Sequence, residues 1–193
     1  MFKYNYFCKF FSMIKTIAIL GSTGSIGKIL LNIITKNNNF FKVELLTAQS
    51  DYKTLYKQAK KHNVKNLIIT NKDSYSALKD KCKKTNINVY NNFNFFNKIF
   101  KKKVDYTMNS IVGFAGLKPT LDIIKFTKQL AIANKESIIC GWNLIKKKTI
   151  LNKTKIIPID SEHFSIWMSL NKFEINNSID LNNKIQKIYI TAS

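Results

Sequence analysis

Short apolar runs recur along this chain, and between most of them apolar residues return every three or four positions. The runs 16–20, 42–48, 66–70, 104–111, 130–133, 156–159 and 186–191 read as strands. The periodic segments 25–36, 53–62, 73–84, 118–127, 136–147 and 162–170 read as amphipathic helices. The stretch 85–103, TNINVYNNFNFFNKIFKKK, is rich in Asn and Lys; it carries a short strand at 87–90 and then a weak helix. Strands alternating with helices are βαβ units, whose strands lie parallel. The expected fold is α/β, a Rossmann-like doubly wound and mostly parallel sheet over 14–150. Residues 1–13 form an N-terminal extension, and 151–193 begin a second, catalytic region. The chain stops at 186-QKIYITAS-193, on a strand, which reads as an interruption.

The first strand runs directly into 21-GSTGSIG-27. A sharp turn from strand to helix needs a positive φ, which Gly adopts without strain. A phosphate approaching the backbone leaves no room for a Cβ, and a helix N-terminus offers it free N–H groups and partial positive charge. Gly21, Gly24 and Gly27 suit the turn, the close approach and tight packing in that order. Thr23 and Ser25 add hydroxyls, and Ser25 could cap the helix. A purely structural turn without ligand is the alternative. Strand and helix on either side favour dinucleotide binding.

The second strand ends at 47-TAQSD-51, where this architecture meets the adenosine ribose. Gln49 and Ser50 could hydrogen-bond a 2′-phosphate, whereas Asp51 would repel one and could instead cap the next helix. Later strand ends carry 131-AIANKES-137 and 157-IPIDSEH-163. Ligands of open α/β sheets gather at such ends, so Lys135, flanked by Asn134 and Glu136, is either a ligand contact or a solvated Lys. Asp160 and Glu162 would face one way on extended chain. They then repel unless a hard cation such as Mg²⁺ or Mn²⁺ lies between them. First-turn helix acids are the plainer explanation. His163 adjoins the pair.

Composition narrows the reading. The net charge is +21 with 32 Lys and Arg together, all of them Lys. Base readout favours Arg, so a nucleic-acid partner is not expected and the charge reads as a solvated Lys surface. Abundant Asn, Ile and Lys bear the mark of an AT-rich genome. Apolar residues make up 45% of the chain, with no run approaching the ~20 residues that span a membrane. Cys8, Cys82 and Cys140 are far apart, and a reducing cytosol fits them. The N-terminal segment lacks a secretory pattern, and a plastid-type transit remnant is the alternative to a cytoplasmic location.

GSTGSIG, IVGFAGLKPTL, AIANKES and IPIDSEH, in this order and spacing, resemble 1-deoxy-D-xylulose 5-phosphate reductoisomerase over residues 14–193. The resemblance implies NADPH and Mg²⁺ or Mn²⁺ as cofactors, a small phosphorylated sugar as substrate, and a homodimer. It implies isoprenoid synthesis through rearrangement and reduction to 2-C-methyl-D-erythritol 4-phosphate. Thr23, Gly24, Ser25 and Ile26 would hold the pyrophosphate region, and Gln49, Ser50 and Asp51 the 2′-phosphate loop. The family often has Gly, a basic residue and Asn in that loop, so this chain departs from it there. Asn134 and Glu136 match cofactor contacts. Lys135 matches a substrate contact with a catalytic part, Ser161 and Ser193 match substrate contacts, and Asp160 and Glu162 match metal ligands. Glu162 matches a substrate contact with a catalytic part too. The family chain continues for as long again with a lid and a third metal-binding Glu, so these residues read as half a catalytic site. A dinucleotide-binding module, or a decayed gene product, without catalysis is the other reading.

Overall fold

The computed structural model describes residues 14–160 together with 164–166, 168, 169, 187 and 189. The strands are β1 (Lys15–Leu20), β2 (Phe41–Ala48), β3 (Asn66–Ile69), β4 (Asn88–Tyr90), β5 (Val104–Asn109), β6 (Thr127–Ile132) and β7 (Lys155–Pro158). They form one sheet in the order β4-β3-β2-β1-β5-β6-β7, and every neighbouring pair is parallel. The helices are α1 (Ser25–Lys36), α2 (Tyr52–Lys61), α3 (Lys72–Cys82), α4 (Phe96–Ile99), α5 (Leu117–Ile123) and α6 (Lys135–Asn152). This is the doubly wound architecture expected from the alternation of patterns.

β1 shows why its sequence is an unbroken apolar run. Ile17 and Ile19 pack on one face with Leu31 and Ile34 of α1, Leu55 of α2 and Leu78 of α3. Ala18 and Leu20 pack on the other with Phe96 of α4, Ile123 of α5 and Ile145 of α6. A strand covered on both sides has no polar face to alternate with. The first three helices thus cover one side of the sheet and the next three the other, with the central strands in a double core.

Several boundaries differ from the sequence reading. The helix expected over 118–127 ends at Ile123, passes through a 3-10 turn at 124–126 and gives way to β6 at Thr127. Lys128 and Gln129 are exposed at the start of β6, so their polarity hid a strand that nonetheless pairs Val104 with Thr127 and Tyr106 with Gln129. β5 stops at Asn109 rather than 111, because the Asn109 side chain turns into the following loop and donates to Gly116 O at 3.1 Å. α6 runs past 147 to Asn152, ended by Lys153 in the left-handed conformation, φ 51°.

β7 pairs with β6 from Gln129↔Lys155 to Ile132↔Pro158, so the sheet continues through the region break expected at 151. Of the helix expected over 162–170, residues 164–166, 168 and 169 are helical. The 1–13 extension lies outside the described residues, save its neighbour Ile14, as does most of the strand expected at 186–191. No helix among the described residues is long and apolar enough to cross a membrane.

Candidate functional site

β1 has β2 on one side and β5 on the other, which makes the carboxyl end of β1 the point where the strand order reverses. A crevice opens there in such sheets. The loop from β1 into α1 lies across it. Gly21 has φ +81°, and a Cβ on it would stand 3.0 Å from the Ser110 carbonyl. A Cβ on Gly27 would stand 2.6 Å from both Gly21 O and Ser22 Cα, so α1 lies directly on the loop backbone. Gly24 is different. Its Cβ would meet only Gly21 O at 3.5 Å, an ordinary contact, and Gly24 lines the cleft. Among the described residues nothing fills the space a side chain there would occupy.

Gly24 is also the N-cap of α1, in extended conformation, with no side-chain cap and no acid in the first turn. Ser25, expected as a possible cap, is the first residue inside the helix, because Gly24 already supplies the non-helical turn. The opening amides of a helix have no intrahelical partner and carry partial positive charge. Here no side chain caps them, and the helix begins at its N-cap Gly24, which lines the cleft. Thr23 is half-buried, whereas Ser25 and Ile26 beside it are exposed.

The cleft encloses about 420 Å³. Thr47, Ala48 and Gln49 at the end of β2 line it with Thr70 and Phe93, as do Ser110, Ile111, Val112 and Ala115 after β5. Of residues 49–51, only Gln49 lines it. Ser50 and Asp51 are exposed. Asp51 caps α2, its Oδ1 accepting from Thr54 N at 3.0 Å. Hydrogen bonds from Thr54, with Lys28 and Lys53 nearby, hold its carboxyl below the usual carboxylate range. The helix-cap reading of Asp51 is thus the geometry found.

Asn134 follows β6 and is 3% exposed. It does not point into the cleft. Its Oδ1 accepts from Ser137 N at 2.7 Å, capping α6, and its Nδ2 donates to the carbonyls of Ile111 and Gly113. It therefore fixes from beneath the loop whose Ile111, Val112 and Ala115 line the cleft. Asn109 Nδ2 braces the same loop through Gly116 O and Thr120 Oγ1. Lys135 is exposed and Glu136 half-buried in the first turn of α6. Both sit at the carboxyl rim of the sheet, outside the cleft lining.

Asp160 stands just beyond β7 at the same rim, half-buried. Ile159 N donates to Ile132 O at 3.1 Å, which carries the pairing almost to it. Ser161, Glu162, His163 and Ser193 lie outside the described residues. Among the described residues no three His, Cys, Asp or Glu side chains gather as metal ligands would, so these residues alone do not make a metal site.

Sequence reading missed Ser22, Thr47, Gln58 and Ser110, which hold the loop. Gly21 N donates to Thr47 Oγ1 at 2.9 Å, and Ser110 Oγ donates to Leu20 O at 2.8 Å and to Gly21 O at 3.1 Å. Thr47 and Ser110 each stand at a strand end, the one local signal that could have found them. Gln58 lies mid-helix on α2 and gives no such signal.

The family model for 1-deoxy-D-xylulose 5-phosphate reductoisomerase matches residues 17–141. The reductoisomerase of Pelagibacter ubique is 56% identical over 181 residues, 93% of this chain and 45% of that protein. That of Phocaeicola vulgatus is 35% identical over 182 residues, 94% of this chain and 45% of that protein. Among solved structures, the Zymomonas mobilis reductoisomerase in complex with NADPH superposes with a TM-score of 0.72 at 34% identity, over 78% of this chain and 40% of that one. A reductoisomerase complex with NADPH, fosmidomycin and magnesium gives 0.72 at 31% identity, over 78% of this chain and 37% of that one. The chain spans 45% of the length of these curated relatives. With the family model matched across the glycine loop, strands β1 to β6 and the start of α6, the chain belongs to the 1-deoxy-D-xylulose 5-phosphate reductoisomerase family.

Proposed function

We propose that this chain takes part in the NADPH-dependent rearrangement and reduction of 1-deoxy-D-xylulose 5-phosphate to 2-C-methyl-D-erythritol 4-phosphate. The dinucleotide would occupy the cleft between the β1 and β5 ends. One observation carries the reading: the uncapped N-terminus of α1 opens on that cleft at Gly24, where a Cβ would meet only Gly21 O at 3.5 Å. Amides, helix dipole and room for a close approach coincide, which is what a pyrophosphate needs.

In this reading Thr23, Gly24, Ser25 and Ile26 bind the pyrophosphate region. Gln49 and Ser50 meet the adenosine end, with Asp51 beside them. Glu136 and the loop that Asn134 holds border the reacting end. NADPH, when bound, supplies the hydride. Lys135, at the start of α6, would hold the phosphorylated sugar and stabilise charge developing on its oxygen. Asp160 and Glu162 would ligate Mg²⁺ or Mn²⁺, and Ser161, Glu162 and Ser193 would contact the sugar phosphate. The homodimer and the cytoplasmic location that the resemblance implies belong to the same proposal.

A fluorescence titration tests the binding half: NADPH should bind the purified chain, and Gly24→Val should abolish binding. Equal affinity in the two proteins would overturn the placement. The chemical half is tested on a fusion carrying the unmatched remainder of a relative. Substrate-driven NADPH oxidation there should require Mg²⁺ or Mn²⁺ and vanish in Asp160→Ala; turnover indifferent to that change would remove Asp160 from the site.

A further inference from the structure

Ser22, in the middle of the glycine loop, is completely buried, at 0% exposure, and it is held on three sides. Its N–H donates to Thr47 O at 2.8 Å. Its backbone lies against Gly27, where a Cβ would come within 2.6 Å. The third hold is Gln58, on the second turn of α2. Ser22 Oγ donates to Gln58 Oε1 at 2.8 Å, sharing its proton with Thr47 O at 3.2 Å. Gln58 Nε2 donates back to Ser22 O at 2.9 Å. One carboxamide thus grips both the side chain and the main chain of one residue. Only a group that is acceptor and donor at once, with the two atoms set apart on one fork, can do this, which selects an amide over an ionised carboxylate or an ammonium.

The grip has a direction. Residues 23 and 24, whose backbone meets the cleft, follow Ser22 immediately. Rotation about the Ser22 peptide would swing the Thr23 amide and the open start of α1 off any bound phosphate; the Gly24 amide itself donates to Gly21 O at 3.2 Å. Anion binding by backbone amides depends on their being aimed beforehand, since a loop that must be ordered on binding loses affinity to that ordering. We propose that Gln58 is a positioning residue for the dinucleotide pyrophosphate: through Ser22 it fixes the aim of the glycine-loop amides without touching the ligand. This rests on the reading that the cleft takes a dinucleotide.

Gln58→Glu is the informative variant, because it keeps the shape and the acceptor while removing the donor. The ionised carboxylate introduced by Gln58→Glu cannot donate to Ser22 O and also sets a negative charge behind the phosphate site. The protonated acid regains both bonds, with its O–H donating to Ser22 O and its carbonyl accepting from Ser22 Oγ. Binding of NADPH to wild type and Gln58→Glu is therefore measured from about pH 8 to about pH 5, spanning the range over which a half-buried carboxyl titrates. The variant should bind about tenfold more weakly at the alkaline end, the loss expected of one charge-sensitive buried hydrogen bond. The gap to wild type should close by about threefold or more toward the acid end. An ionised carboxylate in a half-buried site also destabilises the fold and recovers on protonation, so urea midpoints at the same pH values must show the variant fully folded throughout the titration.

Two companions keep the outcome decisive. Gln58→Leu should weaken NADPH but leave adenosine 2′-monophosphate, which has no pyrophosphate, within about threefold of wild type. Ser22→Ala should weaken NADPH less than Gln58→Leu does, since the main-chain bond survives. A gap that stays constant with pH, or equal losses for both ligands, would overturn the role of Gln58. Failure of wild type to bind NADPH would overturn the dinucleotide reading instead, so the two failures are told apart.

Discussion

Gly116 and Asn134 occupy one another's space. A Cβ on Gly116 would overlap Asn134 Nδ2 and stand 2.9 Å from Ile111 O. The amide of Asn134 can therefore reach the carbonyls of Ile111 and Gly113 only because residue 116 has no side chain. This contact ties the AIANKES segment to the IVGFAGL loop across two strand ends. Gly116→Ala should cost about 2–3 kcal/mol, as overpacking of a site that cannot relax. It should also weaken NADPH binding. Urea midpoints with unchanged slope, read beside the NADPH titration, check both. A fully stable Gly116→Ala protein would show that Asn134 can move.

Gly24 and Gly27 separate binding from folding. Gly27→Ala drives a Cβ into the backbone of Gly21 and Ser22 at 2.6 Å and should destabilise by about 3 kcal/mol. Gly24→Ala meets nothing closer than 3.5 Å and should cost under about 1 kcal/mol, the ordinary loss on placing Ala at an N-cap. Thermal melts should rank the two in that order. NADPH titration of Gly24→Ala should nonetheless show weakened binding, because the methyl enters the cleft.

Asp51 should behave as a cap. Asp51→Ala removes the acceptor for Thr54 N and should cost about 1 kcal/mol, whereas Asp51→Asn, an equally good cap, should be within about 0.5 kcal/mol of wild type. Lys28 and Lys53 offset the carboxylate, so the ratio of NADPH to NADH affinity in Asp51→Asn should move by less than about threefold at moderate salt. A larger shift toward NADPH would place the carboxylate beside the 2′-phosphate.

Acid sensitivity should trace to the opposite end of the sheet. Burial alone would raise the Asp105 carboxyl, but Lys128 Nζ at 2.8 Å and the N–H and hydroxyl of Thr16 at 2.9 and 3.0 Å bring it down to about 2. The folded value lies below the ordinary 3.8. Its stabilising contribution is therefore complete above the ordinary value and is lost as pH falls from about 4 to about 2. Unfolding midpoints across that window should drop in wild type and flatten in Asp105→Asn. That variant should cost about 1 kcal/mol at neutral pH, since the pair is partly solvated. An acid limb unchanged by the substitution would assign it to other carboxylates.

What the sequence determined is local. A run such as TIAIL must be a strand buried on both faces, glycines at 21, 24 and 27 must turn and pack, and the return period after them must be a helix. Steric freedom and apolar periodicity act over a few residues, so they are legible without a fold. Family membership was legible for a related reason, since four short motifs kept their order and spacing. The start of β6 escaped because Thr127, Lys128 and Gln129 have no apolar pattern; only pairing with β5 makes them a strand. The choice between cap and ligand contact at Asp51 was decided by whether Thr54 N came within reach. Asn134 reads as a rim residue in sequence and is a buried brace in the fold, because β5 and β6 lie side by side. Gln58 stands 36 positions from Ser22, and only the placement of β2 beside β1 brings α2 to the glycine loop. Sequence determines which residues can turn, pair or cap; strand order alone decides which of them meet.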